Sequence, residues 1–324
     1  MTILFRIGAA MMFAAFATGA FGQTPGWPVK PIRLVVPFPP GGTTDQLARM
    51  LSPGLMQALG QQIIVENRAG GGGTIGTGQV AKSAPDGYTW VAVFDTHAIN
   101  PSIIPNMPFD TRNDLAPVML VATGTMVITA HKSQPYKTLG ELLAAARSKP
   151  NAVAFGTIGT GSLAHLAITL MGAQVSFQMQ HVPYKGGGPL AQDAIAGHVP
   201  IAMATTALLS PHIKAGNLTA LAVSSIKRDP DLRGVPTVAE SGIPGFEAQA
   251  WWGIFAPAKT PAPIIQRMFD EVTKVLSEKT IHERLTAQGF NLVGRPPEQL
   301  AKFLDDEMAK WSKVVKDFGI RAGD

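Results

Sequence analysis

Short apolar runs alternate with helical patterns along the chain from Ile32 onward. Ile32 to Val36 is an apolar run of strand length, and Thr44 to Leu59 carries leucine at every fourth position. The first pattern predicts a buried strand and the second an amphipathic helix. The alternation continues with a strand, a helix and a strand at Ile63 to Val65, Thr77 to Ser83 and Thr89 to Phe94. This order is typical of a parallel sheet.

The middle of the chain repeats the alternation, and its last part is helical. A long apolar run from Val118 to Ala130 is followed by alternating helices and strands at Leu139 to Ser148, Val153 to Gly156, Ser162 to Met171, Gln180 to Val182, Pro189 to Ala196, Ile201 to Ala204, Leu208 to Ala215 and Ala220 to Val223. Three further helices are predicted at Ile264 to Ser277, Thr280 to Gln288 and Glu298 to Phe318. We expect this helical tail to pack back on the first unit.

The two alternating units predict two lobes joined by two crossing segments. These segments are expected near Val121 to Gly124 and near Phe246 to Trp252. Lobe 1 then comprises residues 23–122 plus 249–324, and lobe 2 comprises residues 123–248. The predicted fold class is α/β, with a mostly parallel sheet flanked by helices in each lobe. Two strands that connect two lobes form a hinge, and the central cleft between the lobes is where a ligand is expected.

The N-terminus has the layout of a secretory signal peptide. Arg6 precedes an uncharged apolar stretch from Ile7 to Ala20, and Ala20 and Gly22 are small residues just before Gln23. About 14 apolar residues fall short of the ~20 that a membrane-spanning helix needs, so cleavage is expected rather than anchoring. The sequence contains no cysteine, so we expect neither a lipid anchor nor a disulfide. Residues 1–22 are therefore predicted to be a signal peptide, and the mature protein is predicted to be periplasmic.

The charge distribution argues against nucleic acid as a partner. The chain has 27 basic and 22 acidic residues, a net charge of +5, with no run rich in lysine or arginine. A weakly cationic protein suits small anionic solutes. The seven histidines show no spacing typical of a metal site, so no metal and no cofactor is expected.

The segment PFPPGGTTD, Pro37 to Asp45, connects the first strand to the first helix. Gly41 and Gly42 permit a tight turn, and the free N–H groups of the helix start form an anion site beyond the end of the strand. The alternative is a purely structural connection in which Asp45 caps the helix.

The stretch AGGGGTIGTG, Ala69 to Gly78, matches the glycine pattern of dinucleotide-binding folds at Gly71, Gly73 and Gly76. It is the main argument for an enzyme. However, the predicted strand ends before Glu66, so the glycines do not follow it directly, and an exported protein rarely meets NAD. No phosphate-binding loop of the Walker type is present.

Two further turns carry polar groups at predicted strand ends. FGTIGTGSLAHLA, Phe155 to Ala167, presents hydroxyl groups and places Ser162 and His165 three residues apart; the alternatives are a nucleophilic pair, a packing histidine or donors for a carboxylate. HVPYKGGGP, His181 to Pro189, contains Lys185, either a charge at the cleft mouth or a solvated lysine. Asp95, Thr96 and Thr205 also follow strands, where open α/β sheets bind ligands.

In order along the chain, six segments resemble the signature segments of Bug-type receptors, the extracytoplasmic substrate-binding proteins of tripartite tricarboxylate transporters. They are PVKPIRLVVPFPPGGTTD, VENRAGGGGTIGTGQVAKSAPDGYT, THAINP, FGTIGTGSLAHL, HVPYKGGGP and LAVSSIKRDPDLRGVPTVAESGIPGFE. The resemblance implies a two-lobed periplasmic-binding-protein fold of the type II kind, with a deep cleft and no enzymatic activity. It also implies a carboxylate ligand, such as a dicarboxylate, a tricarboxylate, an acidic amino acid or an aromatic acid.

Carried onto this sequence, the resemblance and the motifs predict a set of ligand-binding residues: Phe38, Gly41, Gly42, Thr43, Thr44, Asp45, Asp95, Thr96, Thr157, Gly159, Thr160, Ser162, His165, Lys185 and Thr205. Asp95 departs from the small neutral residue expected there, which makes an added amine or hydroxyl on the ligand plausible. The implied partner is a membrane permease of two proteins, and the receptor is expected to be a monomer. The alternatives are a sensor that presents its ligand to a signalling partner, and a secreted oxidoreductase or hydrolase.

Overall fold

The computed structural model describes residues 26–320, so the predicted signal peptide and its cleavage before Gln23 lie outside the described residues. Within that range the strands are β1 (Ile32–Val36), β2 (Ile63–Asn67), β3 (Thr89–Phe94), β4 (Leu115–His131), β5 (Ala154–Thr157), β6 (Gln180–Pro183), β7 (Ile201–Thr205), β8 (Leu218–Val223), β9 (Gln249–Pro257) and β10 (Asn291–Arg295). The helices are α1 (Thr43–Leu59), α2 (Thr74–Ala81), α3 (Thr96–Ile103), α4 (Leu139–Ser148), α5 (Leu163–Val175), α6 (Gly187–Ala196), α7 (Thr206–Lys214), α8 (Ala262–Ser277), α9 (Lys279–Ala287) and α10 (Pro297–Phe318). None of these helices is long and apolar enough to cross a membrane.

Each of the two α/β units has a parallel core of three strands. In the first unit β1 pairs in parallel with β2 and β3, and in the second β5 pairs in parallel with β6 and β7. The long strands β4 and β9 add antiparallel pairs, β9 with β3 and β4 with β7, β8, β9 and β10. The sheet as a whole is therefore mixed, with the predicted parallel order inside each unit.

Strand β4 connects the two units because it is 17 residues long. Its residues up to Thr125 pair with β9, and its residues from Met126 onward pair with β7 and β8. The change of partners lies close to the crossing predicted near Val121 to Gly124. The lobe boundaries at residues 122/123 and 248/249 stay a prediction.

Helix α1 forms for the reason that the sequence indicated. Its four periodic leucines lie buried on one face, and Gly60, with φ of 66°, ends it in the left-handed conformation. Helix α8 packs closely on α1, since a Cβ on Gly54 would lie 2.7 Å from Val275 Cγ1. Helix α10 packs on α3 and β4. The C-terminal helices thus return to the first unit, as predicted.

Three elements were not predicted. Helix α3 is only eight residues long and contains Pro101, which hides its period. Strand β9 overlaps the predicted crossing segment, and its aromatic run is buried between β3 and β4. Strand β10 is short and contains Gly294. Helix α2 also begins at Thr74 rather than Thr77, because the preceding glycines form a 3-10 turn.

Candidate functional site

Two adjoining cavities lie between the loops of the two units. The deeper cavity has a volume of about 30 Å³ and the larger one about 440 Å³. Both are bounded by Phe38 from the first unit and by Ile158 and Gly186 from the second. The larger volume is in the range of a small-molecule site.

The loop between β1 and α1 forms one wall of the deeper cavity. Gly41 takes a φ of 83°, and Gly42 is the N-cap of α1 without a side-chain hydrogen bond. The N–H groups of the first helical turn have no acceptor within the helix. Gly42, Thr43 and Thr44 line the cavity at this helix start.

Asp45 holds this loop from behind. Its Oδ2 accepts a hydrogen bond of 3.0 Å from the Gly41 N–H, and its Oδ1 accepts bonds of 2.9 Å from Arg49 Nε and Asn67 Nδ2. Burial raises the pKa of Asp45, but these hydrogen bonds and the charge of Arg49 outweigh it and lower the pKa overall. Neither cavity is lined by Asp45 or by Gly41. These contacts fit a structural role for Asp45 in the loop, but Asp45 does not cap α1 as predicted, because the helix start has no side-chain cap.

Two helix starts of the second unit face α1 across the deeper cavity. Gly186 is the N-cap of α6 and Thr205 the N-cap of α7, and neither helix start has a side-chain cap. The remaining wall is apolar and includes Phe94, Met126 and Leu208. Three helix starts thus line one small space, and the positive ends of the helix dipoles favour an anion there.

The glycine-rich stretch forms a wall of the larger cavity. Gly70, Gly71, Gly72 and Gly73 all line it, and all take positive φ values between 57° and 134°. A Cβ on Gly73 would lie 3.2 Å from Phe38 Cζ. The carbonyl of Gly72 accepts a hydrogen bond of 3.0 Å from Asn100 Nδ2. The glycines that resembled a dinucleotide motif therefore let the backbone form a tight wall beside the cleft.

The loop after β5 forms the opposite wall. Gly159, Thr160 and Ser162 line the larger cavity, and Thr96 faces them from the first unit. The Ser162 hydroxyl caps α5 by accepting from the His165 N–H at 3.4 Å. His165 Nδ1 accepts a bond of 3.1 Å from the Gly161 N–H. Neither His165 nor the fully buried Thr157 lines either cavity.

Charge is sparse around the cavities. Among residues 26–320, Lys185 is the one charged side chain that lines either cavity; it is exposed and forms no ion pair with another residue of that range. Tyr184 lines the same cavity, and its hydroxyl donates to Asp193 Oδ2 at 2.9 Å. A cavity with backbone donors and no acidic side chain in its walls suits an anionic ligand.

Asp95 lies outside both cavities. It is 1% exposed, and neither carboxylate oxygen has a hydrogen-bond partner within residues 26–320. Burial, and then the nearby Glu307, raise its pKa well above the usual value. Its placement gives no support to a role in binding a ligand amine.

Sequence reasoning placed ten of its candidates in the cavity walls and missed several others. The ten are Phe38, Gly42, Thr43, Thr44, Thr96, Gly159, Thr160, Ser162, Lys185 and Thr205, and the five outside the walls are Gly41, Asp45, Asp95, Thr157 and His165. The missed wall residues include Ile158, Tyr184 and Gly70 to Gly73. The run of glycines is the signal for this wall in the sequence, although its spacing also matches a cofactor motif.

Most of the chain matches one known protein family. Residues 47–320 match the tripartite tricarboxylate transporter family receptor. The chain belongs to this family. Protein BugT of Bordetella pertussis is 36% identical to this receptor over 321 residues, which are 98% of each chain. The predicted likeness to Bug-type receptors is confirmed.

Solved structures of similar proteins confirm the fold class. The periplasmic binding protein BugD is 31% identical to this receptor, with a TM-score of 0.87 over 91% of this chain and 100% of that one. A Rhodopseudomonas palustris protein solved with adipate is 33% identical, with a TM-score of 0.88 over 91% and 99% of the two chains. MatC of Rhodopseudomonas palustris, solved with malate, is 32% identical to this receptor. Its TM-score is 0.84 over 89% of this chain and 99% of that one. This receptor therefore has the two-lobed fold of periplasmic binding proteins.

Proposed function

We propose that this receptor captures a small carboxylate in the two adjoining cavities and delivers it to a tripartite tricarboxylate transporter. The observation that carries the proposal is the convergence of three uncapped helix starts, those of α1, α6 and α7, on one small cavity. Such a convergence favours a carboxylate without a buried cation. The adipate and malate bound by two relatives are acids of suitable size.

One carboxylate group is proposed to sit at the start of α1. The N–H groups after Gly42 and the hydroxyl of Thr44 are its donors from the first lobe, and Thr160 approaches from the second lobe. The rest of the ligand occupies the larger cavity, between Phe38 and the wall formed by Gly70 to Gly73. This arrangement suits a linear dicarboxylate or an aromatic acid.

The remaining parts of the proposal concern the protein as a whole. Lobe 1 comprises residues 23–122 plus 249–324, and lobe 2 residues 123–248. The mature chain begins at Gln23, acts as a monomer outside the cytoplasm and hands its ligand to a two-protein membrane permease. The proposed role is binding without turnover.

A thermal-unfolding screen tests the ligand class. The purified mature chain is heated with dicarboxylates of increasing length, acidic amino acids and aromatic acids, each beside its amide. A ligand present at 100 times its Kd stabilises the folded state by about 2.7 kcal/mol. The resulting rise in Tm is well above the noise of the assay. We expect a few acids and none of their amides to raise the Tm. A set of sugars or amines that raises the Tm while every acid fails would contradict the proposal. Native mass spectrometry of freshly purified protein then identifies a co-purified acid.

A further inference from the structure

The loop from Thr157 to Ser162 is held from behind by two stacked histidines. His165, on α5, and His181, on β6, lie with ring centroids 3.9 Å apart and ring planes at 7°. The ring of His181 also stacks on Phe155 at 5.0 Å. Neither imidazole lines a cavity, yet both reach the loop that does.

Each imidazole makes a hydrogen bond to a different part of the loop. The Gly161 N–H donates to His165 Nδ1 at 3.1 Å. A backbone N–H can only donate, so Nδ1 of His165 carries no proton. The neutral ring is then the Nε2–H tautomer.

His181 reaches the loop through Thr157. Its Nε2 lies 2.8 Å from the Thr157 hydroxyl, and the imidazole donates or accepts this hydrogen bond according to its tautomer. The same hydroxyl accepts from the Gly159 N–H at 3.3 Å and lies 3.1 Å from the Gly159 carbonyl oxygen. His181 thereby connects β6 to the start of the loop.

The position of this loop matters because its backbone lies close to the first unit. Gly159 and Gly161 take φ values of 145° and 73°, which leave glycine as the suitable residue. A Cβ on Gly161 would lie 2.4 Å from Ile103 Cδ1, on α3 of the first unit. The same loop presents Gly159, Thr160 and Ser162 to the larger cavity. A small shift of the loop thus changes both the cavity wall and the contact between the two units.

We propose that His165 and His181 are positioning residues that hold the ligand loop in its binding geometry without touching the ligand. The proposal rests on the proposed function in that it takes the larger cavity as the ligand site. His165 is neutral because its Nδ1 accepts the Gly161 N–H, and burial disfavours a charge on His181. Burial and the neighbouring His165 lower the pKa of His181 to about 3, in keeping with this.

Two pairs of variants test the proposal. The side-chain oxygen of asparagine reaches the position of imidazole Nδ1, and the amide nitrogen of glutamine reaches that of Nε2. His165→Asn and His181→Gln therefore keep the hydrogen bond, whereas His165→Leu and His181→Leu remove it at similar volume. His282→Leu, at an exposed position on α9, is the matched control.

Isothermal titration with the acid that most raises the wild-type Tm gives the first readout. We expect each leucine variant to weaken binding by about tenfold or more, and each amide variant to stay within about threefold of wild type. Urea unfolding without ligand shows that the variants compared are folded. Wild-type affinity in both leucine variants, or equal losses in the leucine and amide variants, would overturn the proposal.

Nuclear magnetic resonance gives a second readout that needs no ligand. Imidazole ¹⁵N shifts at pH 7 should identify the Nε2–H tautomer in His165, and amide exchange at Gly159 and Gly161 should accelerate in the leucine variants alone. A protonated Nδ1 on His165 or unchanged exchange would overturn the positioning role. If no acid binds the wild type, the proposed function fails, while this readout still decides whether the histidines hold the loop.

Discussion

Gly186 lies directly against Pro39 across the cleft: a Cβ on Gly186 would lie 2.9 Å from Pro39 Cδ. The two residues belong to different units, one at the start of α6 and the other in the loop before α1. Gly186 also takes a φ of 113°. The units can therefore approach this closely only because this residue has no side chain.

Gly186→Ala is expected to weaken ligand binding by about tenfold or more, because the added methyl group keeps the two loops apart. Gly242→Ala is the matched control, since Gly242 has a similar φ of 104° but no atom within 4 Å of the added Cβ. Isothermal titration compares the two. Equal affinity in both alanine variants would show that the Gly186–Pro39 contact plays no part in binding.

Lys185→Ala should chiefly slow association. The side chain is exposed at the edge of the larger cavity and has no ion-pair partner within residues 26–320. An exposed charge steers an anion toward its site, so its removal lowers the association rate and leaves the dissociation rate nearly unchanged. Stopped-flow binding at low salt should show an association rate reduced by roughly two- to tenfold, and the difference should fade at high salt. A large increase in the dissociation rate would instead indicate a direct ion pair with the ligand.

Asp95→Asn is expected to stabilise the protein at neutral pH. Burial and Glu307 raise the pKa of Asp95, so the folded state keeps a proton that the unfolded state releases as the pH rises above about 3.9. As the pH rises, Asp95 therefore lowers the free energy of unfolding by up to about 1.4 kcal/mol per pH unit. The decrease ends when the pH reaches the pKa of Asp95 in the folded state.

Urea unfolding between pH 4 and pH 8 checks this expectation. The increase in the free energy of unfolding caused by Asp95→Asn should grow from pH 4 upward. Asp231→Asn, at an exposed position, should show no such trend. A loss of stability that is independent of pH would mean that Asp95 is ionised and paired in the folded protein.

His97 should make the protein less stable in mild acid. Burial lowers its pKa to about 3, whereas an unfolded histidine titrates near 6.5. The unfolded state therefore binds the proton first, and stability falls by up to about 1.4 kcal/mol per pH unit as the pH drops from 6.5 toward 3. His97→Phe, which fits between Phe109 and Phe255, should flatten the profile over that window. A parallel profile for wild type and variant would show that His97 does not titrate in this way.

The alternation of strands and helices could be predicted because burial leaves a period in the sequence. The leucines of α1 carry that period directly, and β4 is recognisable as a continuous apolar run. Helix α3 and strand β10 are short and polar at several positions, so their positions are set by packing against distant elements. The partners of β9, likewise, depend on contacts that no local pattern encodes.

The part of the candidate site that lies near the carboxyl ends of strands could be predicted from the sequence. Thr44 and Thr160 lie in the segments after β1 and β5, Thr205 ends β7, and all three reach the cavities for that reason. The support behind the loops was not predictable, since His181 meets His165 only after the sheet has formed. Asp45 lies in the first turn of α1 and Asp95 directly follows β3, and neither position predicts whether the carboxylate is hydrogen-bonded. Asp45 accepts hydrogen bonds from Gly41 and Asn67, whereas the Asp95 carboxylate has no partner within residues 26–320. This difference arises from tertiary packing.

The start of α1 is the proposed binding point of the ligand carboxylate, and Gly42 marks it. A Cβ there would lie 3.7 Å from the Pro39 carbonyl oxygen, so a small side chain fits, but a branched one fills the space beside the free N–H groups. Isothermal titration of the best acid into wild type, Gly42→Ala and Gly42→Val tests this most directly. We predict a graded loss, with Gly42→Val weaker by about a hundredfold or more, as expected when charge-assisted hydrogen bonds are lost. Wild-type affinity in folded Gly42→Val would contradict the account and place the carboxylate elsewhere.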